Sequence, residues 1–331
     1  MRNKVLFIGM HRPNRSPSQR YRFEQYFPFL EANGIQCDLS YLIGEEDDKL
    51  LYKKGHYWAK LNIFLKSIRQ RRKDIKRAKT YDYIFIQREA FMTGTTWFEK
   101  QLVKSEVPVI FDFDDAIWTN DPGQHLGVLG RLKRPEKTSE IISLANKVIA
   151  GNQYLANYAS EYNKKVEVIP TTIDTRLYQP SFKPERDQLV IGWTGSFSTI
   201  KHFEMVLPVL KKLKERFGNK ISFSVIGDAS YVNDPLNIKG IPWNSATEVE
   251  DLQAIDIGIM PLPDEEWTRG KCGAKGLQYM GLGIPTIMSP VGVNTEIIQD
   301  GENGFLASSD KEWVDKISRL IESSELREKL G

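Results

Sequence analysis

The feature that most constrains the fold is a strict alternation of short apolar runs with helix-like segments, which occurs twice along the chain. Strands that alternate with helices pair in parallel and carry helices on both faces of the sheet. The sequence therefore predicts an α/β fold with two Rossmann-like halves. The predicted strands are Lys4–Gly9, Gln36–Ile43, Tyr83–Gln87, Val107–Asp115, Lys147–Ala150 and Val166–Ile169, and then Leu189–Trp193, Ile221–Ile226, Ile241–Trp243, Asp256–Met260 and Ile284–Ser289.

The chain has 331 residues, which is enough for two domains of ordinary size. Proline and polar residues cluster between about 175 and 186, where the first alternation ends. The sequence therefore predicts an N-terminal domain over residues 1–175 and a C-terminal domain over residues 176–331. Residues 119–134, rich in glycine, are predicted to form a loop.

Composition indicates an ordinary globular protein, with 40% hydrophobic and 27% charged residues. The net charge of +3 gives no general reason to expect a nucleic-acid partner. Cys37 and Cys272 are far apart in the sequence and form no metal-like spacing, which fits a reducing compartment. No apolar run approaches the ~20 residues that cross a bilayer, and Val5–Met10 is too short for a secretory signal. These observations predict a cytoplasmic protein.

The segment Arg269–Glu296, RGKCGAKGLQYMGLGIPTIMSPVGVNTE, predicts an anion site. It has a small-residue loop, a helix from about Ala274 to Gly281, a Gly-Ile-Pro turn and a buried strand. Free backbone N–H groups and the helix dipole favour an anion at such a helix N-terminus. Lys271 and Lys275 add positive charge that suits a diphosphate. The alternative is a plain helix-to-strand connection.

Two basic segments lie in the first half of the chain. The loop and helix after the first strand carry Arg12, Arg15, Arg20 and Arg22, which either bind phosphates or are ordinary surface arginines. Residues 53–79 contain eleven Lys or Arg and one acid. The apolar residues of this segment recur at helical spacing, so their stripe either packs on the core or docks on an anionic membrane. That stripe comprises Trp58, Leu61, Phe64, Leu65 and Ile68.

The run K-C-G-A-K-G-L-Q-Y-M-x-x-G-I-P-T-I-x-S-P-V-G-V-N-x-E, starting at Lys271, resembles the donor-binding segment of family 4 GT-B glycosyltransferases (glycosyl transferases group 1). Pro170–Asp174 resembles the I-P-x-x-I-D element that precedes the linker of that family. The resemblance implies the GT-B architecture, two Rossmann-like domains with parallel sheets facing a central cleft.

The resemblance also implies a donor site. Two departures from the family pattern concern charge: Thr194 stands where an arginine is usual, and the E-x7-E carboxylates align with Gly270 and Gln278. The amide of Gln278 can still hydrogen-bond a ribose hydroxyl. The donor-binding residues implied are Gly195, Ser196, Lys201, Lys271, Gly273, Lys275 and Gln278, and the further cleft candidates are Arg12, Arg20 and Glu296.

Acids end the fourth predicted strand, where many relatives carry a histidine that supports catalysis. Asp114 and Asp115 are therefore the predicted catalytic residues, which would orient an acceptor hydroxyl or take its proton. One alternative is that they cap the following turn. Another is a metal site including Asp112, as in the D-x-D motif of GT-A enzymes. The GT-B resemblance argues against a metal, and no cofactor is expected.

Together these features predict a glycosyltransferase of the retaining type, which the resemblance implies. It would move a hexose-type sugar from a nucleoside-diphosphate sugar to a hydroxyl of a bacterial surface glycan or lipid-linked precursor, with possible contact of residues 53–79 to the membrane. Two alternatives remain. One is a catalytically inactive sugar-nucleotide-binding protein. The other is a dinucleotide-dependent oxidoreductase, although Gly9–Asn14 lacks the glycine spacing for one.

Overall fold

A computed structural model describes residues 3–51, 53, 55–119, 134–181 and 186–331. The chain divides into two compact units, Met1–Thr171 and Thr172–Gly331. The sequence places the boundary slightly later, at 175/176. Most of the predicted loop over residues 119–134, and residues 182–185 of the predicted linker, lie outside the described residues.

The first unit contains, within its described residues, a six-stranded sheet in the order β2-β1-β3-β4-β5-β6. Every strand pair in it is parallel. The elements are β1 (Asn3–Ile8), α1 (Pro17–Arg22), α2 (Phe27–Ala32), β2 (Ile35–Ser40), α3 (Glu45–Leu51), α4 (Tyr57–Arg77), β3 (Tyr83–Gln87), α5 (Trp97–Val103), β4 (Val109–Phe113), α6 (Glu136–Leu144), β5 (Lys147–Ala150), α7 (Gln153–Ser160) and β6 (Val166–Val168).

The parallel arrangement brings the loops that follow the strands to one edge of the sheet. Phe7, Phe23 and Phe85 form a buried aromatic cluster on one face of that sheet. Because β1, β3 and β4 are neighbours, the residues after Ile8, Gln87 and Phe113 lie close together at their carboxyl ends. This edge is where open α/β sheets bind ligands.

Arg22, one of the predicted phosphate-binding arginines, is instead a buried structural residue. Its Nε donates to both carboxylate oxygens of Asp112 at 3.1 Å, and Nη1 donates to the carbonyl of Ile169 at 2.6 Å. The guanidinium needs these partners because a buried charge without a partner is costly. Arg22 therefore connects α1 with β4 and with the end of β6. The prediction that it binds phosphate is wrong, because its guanidinium is buried on these partners.

The second unit contains a five-stranded parallel sheet, β13-β12-β11-β7-β8, and an antiparallel pair, β9-β10, within the described residues. The elements are β7 (Leu189–Thr194), α8 (Ile200–Glu204), α9 (Leu207–Phe217), β8 (Ile221–Ile226), β9 (Val232–Asn233), β10 (Ile238–Lys239), α10 (Glu248–Gln253), β11 (Ile257–Met260), α11 (Glu266–Arg269), α12 (Ala274–Gly281), β12 (Thr286–Met288), α13 (Asn294–Ile297), β13 (Phe305–Leu306), α14 (Asp310–Glu322) and α15 (Ser324–Leu330).

In this unit a proline divides one helical segment, and one predicted strand needs correction. The segment 200–217 is two helices, because Pro208 lacks a backbone N–H and is tolerated only in the first turn of a helix, here α9. The predicted strand Ile241–Trp243 is reduced to a single bridge between Ile226 and Ile241. Its neighbour Pro242 cannot donate a ladder hydrogen bond, so the pairing does not extend.

The basic helix α4 packs on the unit mainly through a face other than the apolar stripe, which leaves the docking alternative for that stripe open. Its buried residues are Ile63, Ser67, Arg71 and Asp74. Trp58, Leu61 and Leu65 of the predicted stripe are exposed, whereas Phe64 makes an edge contact with Phe91. The buried charged side chains of this helix have partners within the unit: Arg71 pairs with Asp74 and donates to the carbonyl of Gly9. No helix among the described residues is long and apolar enough to cross a bilayer.

Candidate active site

In the second unit, Tyr279 of α12 fixes the loop after β7. Its hydroxyl accepts a hydrogen bond from the backbone N–H of Thr194 at 2.9 Å. The tyrosine ring lies over Gly258 of β11, where an added Cβ would lie 2.5 Å from the ring. Burial raises the pKa of Tyr279, so the hydroxyl stays protonated. The last residue of β7 and the helix of the predicted anion site are therefore held at a fixed separation.

Close backbone approach shapes the same loop. Gly227, after β8, has φ of +128°, and a Cβ there would lie 1.5 Å from the carbonyl oxygen of Gly195. A Cβ on Gly195 would in turn meet the Trp193 ring at 2.3 Å. Only glycine fits at either position. Ser196 follows and forms a reciprocal capping box with Thr199. The N–H groups of Gly195 and Ser196 donate to the carbonyl of Ile226 and the hydroxyl of Thr199, so this backbone is fixed in place.

The second loop, Gly270–Gly273, leads directly into α12. Gly273 is the N-cap residue with φ of +68°, and a Cβ there would lie 2.3 Å from the side chain of Ile297. The turn after β12 supports this loop, since a Cβ on Gly292 would lie 2.6 Å from the carbonyl of Arg269. The first turn of α12 carries N–H groups that no preceding turn of the helix can satisfy, which favours an anion there.

The two predicted lysines stand over aromatic rings beside these loops. The Nζ of Lys275 lies 5.0 Å from the centre of the Trp193 ring, and that of Lys271 lies 4.4 Å from the Trp267 ring. Cation–π contact of this kind orients the ammonium group. Because Trp193 belongs to β7, Lys275 connects the 194–196 loop with α12. The structure thus brings Gly195, Ser196, Lys271, Gly273 and Lys275 to one edge of this sheet.

Gln278 and Gly270, the two departures from E-x7-E, are both buried. The Gln278 amide donates to a carboxylate oxygen of Glu248 at 3.2 Å and to the hydroxyl of Tyr178 at 3.3 Å. Glu248 also accepts from the indole N–H of Trp243 at 2.8 Å. A carboxylate therefore is present next to the Gln278 position, but it comes from the start of α10.

In the first unit, Arg88 joins both predicted catalytic carboxylates. It follows β3, its backbone has φ of +63°, and its Nε donates to Asp114 at 2.9 Å. The same guanidinium pairs with Asp115. Ser18 donates to Asp114 at 2.6 Å, and Gln87 donates to Ser18 at the same distance. A left-handed conformation is uncommon for a non-glycine residue and often accompanies a functional site.

This pairing decides the protonation state of Asp114. Burial by itself would raise the pKa of Asp114, but the guanidiniums of Arg88 and Arg22 and the Ser18 hydroxyl outweigh burial and lower it. By contrast, burial raises the pKa of Asp112 to about 6, although Arg22 opposes the change. A carboxylate with a lowered pKa is a good hydrogen-bond acceptor and a weak base, which favours orienting a hydroxyl over removing its proton.

The loop after β1 is built around Gln19. This side chain accepts from the N–H groups of Met10 and His11 at 3.0 and 2.7 Å and donates to the His11 carbonyl at 2.8 Å. Arg12 and Arg15 both pair with Asp48. Burial and the nearby Arg15 lower the pKa of His11 to about 4, so its imidazole is neutral near pH 7.

The remaining candidates lie on three separate helices. Arg20 lies on α1 with its guanidinium 5.3 Å from the centre of the Tyr21 ring. Lys201 is on α8 and is partly exposed, and Glu296 is exposed on α13. The D-x-D alternative finds no support in the geometry, since Asp112 faces Arg22 and Asp114 faces Arg88. Among the described residues no group of three His, Cys, Asp or Glu side chains could hold a metal ion.

Residues 188–323 match the family model described as glycosyl transferases group 1. The match spans most of the second unit and less than half of the whole chain. A curated relative, spore coat protein SA of Bacillus subtilis, is 40% identical over 57 residues. That match covers 16% of this chain and spans only 15% of the relative's own length.

Solved structures share the fold of the whole chain, across both units. Sucrose-phosphate synthase from Thermosynechococcus elongatus aligns with a TM-score of 0.69 at 13% identity, covering 99% of this chain and 92% of the other. HepE from Anabaena, in complex with UDP and glucose, aligns with a TM-score of 0.67 at 16% identity and the same coverage. The predicted GT-B class, with two Rossmann-like parallel-sheet units, is confirmed.

Three residues of the candidate sites carry no signal in the sequence that predicts their role. Arg88 is a single basic residue after a strand, and no local pattern distinguishes it from a surface arginine. Glu248 and Tyr279 act through partners 30 and 85 residues away. The only sequence signal for Tyr279 is its position on the buried face of α12, which equally fits a simple core residue.

Tyr279→Phe tests the connection between α12 and β7. Removing the hydroxyl leaves the buried N–H of Thr194 without its acceptor, so the free energy of unfolding should fall by about 1–3 kcal/mol. Amide exchange at Thr194 should accelerate in parallel. Tyr231→Phe is the matched control, because that hydroxyl accepts no backbone N–H among the described residues. Equal stability of the two variants would contradict the proposed connection.

His11→Gln tests the neutral histidine. The folded pKa of His11, about 4, lies below its ordinary value of 6.5, so the unfolded chain binds the extra proton between these values. Stability from His11 is therefore full above pH 6.5 and is lost as the pH falls toward 4, by up to about 3 kcal/mol. Urea unfolding at pH 7 and pH 4.5 should show a smaller acid loss in His11→Gln than in the wild type or in His56→Gln. An unchanged acid loss would show that His11 titrates normally.

Proposed function

We propose that this protein is a retaining glycosyltransferase that moves a hexose-type sugar from a nucleoside-diphosphate sugar to a hydroxyl of a bacterial surface glycan or its lipid-linked precursor. The observation that carries the proposal is the convergence of two glycine-containing loops and two oriented lysines at the start of α12, inside the region that matches the group 1 family. The retaining outcome rests on the family resemblance.

The donor diphosphate would bind at the 195–196 and 271–275 loops. The negative charge that develops on the leaving diphosphate needs donors already in place, and the N–H groups of the first turn of α12 with Lys271 and Lys275 would supply them. Lys201 is a further candidate for this charge. No metal or cofactor is proposed, because Lys271 and Lys275 would supply the positive charge that balances the diphosphate. HepE in complex with UDP and glucose makes UDP the first nucleotide to test.

The acceptor hydroxyl would be oriented in the first unit by Asp114 and Asp115. Arg88 keeps Asp114 ionised and fixes its direction. Catalysis would then rest mainly on positioning the acceptor against the donor and on charge stabilisation at the diphosphate. Arg12 and Arg20, at the same edge of this sheet, are further candidates for acceptor contacts.

The protein is proposed to act in the cytoplasm, at the inner face of the cell membrane. A lipid-linked acceptor would be presented there, and the basic helix α4 would help to reach it. The second candidate function is a sugar-nucleotide binder without activity, which is favoured by the glycine at position 270, since Gly270 cannot supply the carboxylate of E-x7-E.

A thermal-shift screen of UDP, GDP, ADP, CDP, TDP and NAD, each with and without EDTA, tests the donor site. One nucleoside diphosphate should stabilise the protein independently of EDTA, since a ligand of the folded state raises stability by mass action. Lys275→Ala should raise its Kd roughly 10- to 100-fold through the lost charge-assisted contact. Lys220→Ala, an exposed lysine before β8, is the control. Stabilisation by NAD alone would reject the proposal.

Asp114→Asn tests the acceptor side. Sugar transfer from the stabilising nucleotide's sugars should fall by about 10²- to 10⁴-fold in kcat, while nucleotide affinity stays unchanged. The exposed Asp82→Asn serves as the control. If the wild type binds the nucleotide yet neither transfers nor hydrolyses any sugar over a broad acceptor panel, the inactive binder replaces the glycosyltransferase as the preferred function.

A further inference from the structure

The first two turns of α4 expose large apolar side chains. Tyr57 is 79% exposed and Trp58 is 85% exposed, and Leu61 and Leu65 are 47% and 43% exposed. Single exposed apolar residues are ordinary, but two neighbouring aromatic rings followed by two leucines form a contiguous patch. Such a patch on one helix indicates a contact with an apolar partner.

Most of the surface of Tyr57 and Trp58, and nearly half that of Leu61 and Leu65, lies outside the unit's own packing. The helix is anchored through Ile63, Ser67, Arg71 and Asp74, which are all buried. At about 100° per residue, that buried row lies on the opposite side of the helix from Trp58 and Leu65. The exposed patch is therefore additional to the core and can be removed without opening it.

The last two turns of the same exposed face are basic. Arg69, Arg72, Lys73 and Lys76 are all exposed and lie within the same half of the helix circumference as Trp58. The ion pairs recorded for this helix use other side chains, namely Lys66 with Asp47, and Arg71 and Arg77 with Asp74. The four outer cations are thus available to an anionic surface.

Apolar and basic residues are separated along the axis of α4. At 1.5 Å per residue, Tyr57–Leu65 spans about 12 Å and Arg69–Lys76 about 10 Å. A helix lying flat in a membrane has its apolar and basic residues on different faces, whereas here one face changes character from end to end. The geometry points to an oblique contact in which one end of the helix is deeper than the other.

We propose that α4 docks the protein obliquely on an anionic lipid bilayer. Tyr57, Trp58, Leu61 and Leu65 enter the boundary between headgroups and acyl chains, and Arg69, Arg72, Lys73 and Lys76 rest on anionic headgroups. Aromatic residues with a polar edge prefer this boundary. The inference rests on the proposed function in one respect, since a lipid-linked acceptor gives the docking its purpose. An RNA partner would contact the cations, but it would not explain why Leu61 and Leu65 are exposed next to them.

Vesicle co-sedimentation at low salt tests the docking. The wild type should bind vesicles of phosphatidylcholine with about one third phosphatidylglycerol and bind pure phosphatidylcholine far less. Arg72→Glu/Lys76→Glu should weaken binding by roughly 25-fold or more, at about fivefold for each charge lost. Trp58→Ala should weaken it roughly tenfold through lost apolar burial. The controls in the second unit are Lys211→Glu/Lys220→Glu and Leu177→Ala, which carry exposed side chains of the same types.

Fluorescence tests the oblique orientation. Because the chain has seven tryptophans, the Trp58 signal is taken as the difference between the wild type and Trp58→Phe. On anionic vesicles this difference spectrum should shift to the blue and be quenched by lipids brominated near the top of the acyl chain. An unchanged Trp58 signal, or binding that survives Trp58→Ala and is competed by RNA, would overturn the proposal.

Nucleotide-induced thermal stabilisation is measured on the same variants. It should be equal in all of them, because α4 belongs to the first unit and the donor loops belong to the second. Loss of vesicle binding with intact nucleotide stabilisation isolates the docking surface. Intact vesicle binding in a protein that no nucleotide stabilises would reject the donor site and leave the docking inference standing.

Discussion

The hydrogen bond from the Thr194 N–H to the Tyr279 hydroxyl is the interaction on which the candidate donor site depends. The two glycine loops belong to separate strand–helix connections, and nothing in local sequence sets the distance between them. The buried tyrosine sets it, since its ring fills the space over Gly258 and its hydroxyl ends at the last residue of β7. Glycine is required separately at position 227, because the loop after β8 approaches the backbone of Gly195 too closely for a side chain. It is required at position 195 because the Trp193 ring fills the adjacent space.

In the first unit the main constraint is the pairing of carboxylates at the end of β4 with arginines. Three carboxylates at the end of β4, those of Asp112, Asp114 and Asp115, are buried or nearly so, and each has a guanidinium partner. Arg22 neutralises Asp112 and holds the scaffold, whereas Arg88 serves Asp114 and Asp115 at the sheet edge. Burying charges costs free energy unless every one is paired and hydrogen-bonded. The strained backbone of Arg88 indicates that this pairing is part of the site and not a by-product of packing.

Much of the architecture could be predicted from periodicity. Strand–helix alternation predicts both parallel sheets, and the helix Ala274–Gly281 has the predicted bounds. Periodicity cannot predict which residue pairs with a charged side chain. Arg22 and Asp112 are 90 residues apart, and each by itself resembles an ordinary surface residue. For a related reason, periodicity leaves two roles open for the apolar stripe of α4. Helical spacing identifies a face, but only the packing of Ile63 and Ser67 determines which face turns inward.

The candidate site could be predicted in part. Gly195, Ser196, Lys271, Gly273 and Lys275 do come together at one sheet edge, and their ligand remains a proposal. The most direct test of this central claim is hydrogen exchange, followed by mass spectrometry, in the presence of the nucleoside diphosphate that stabilises the protein. The account predicts slowed exchange in peptides covering 194–196 and 271–276 together, because one diphosphate contacts both loops. Protection of the loop after β1 alone, or of only one of the two loops, would contradict it.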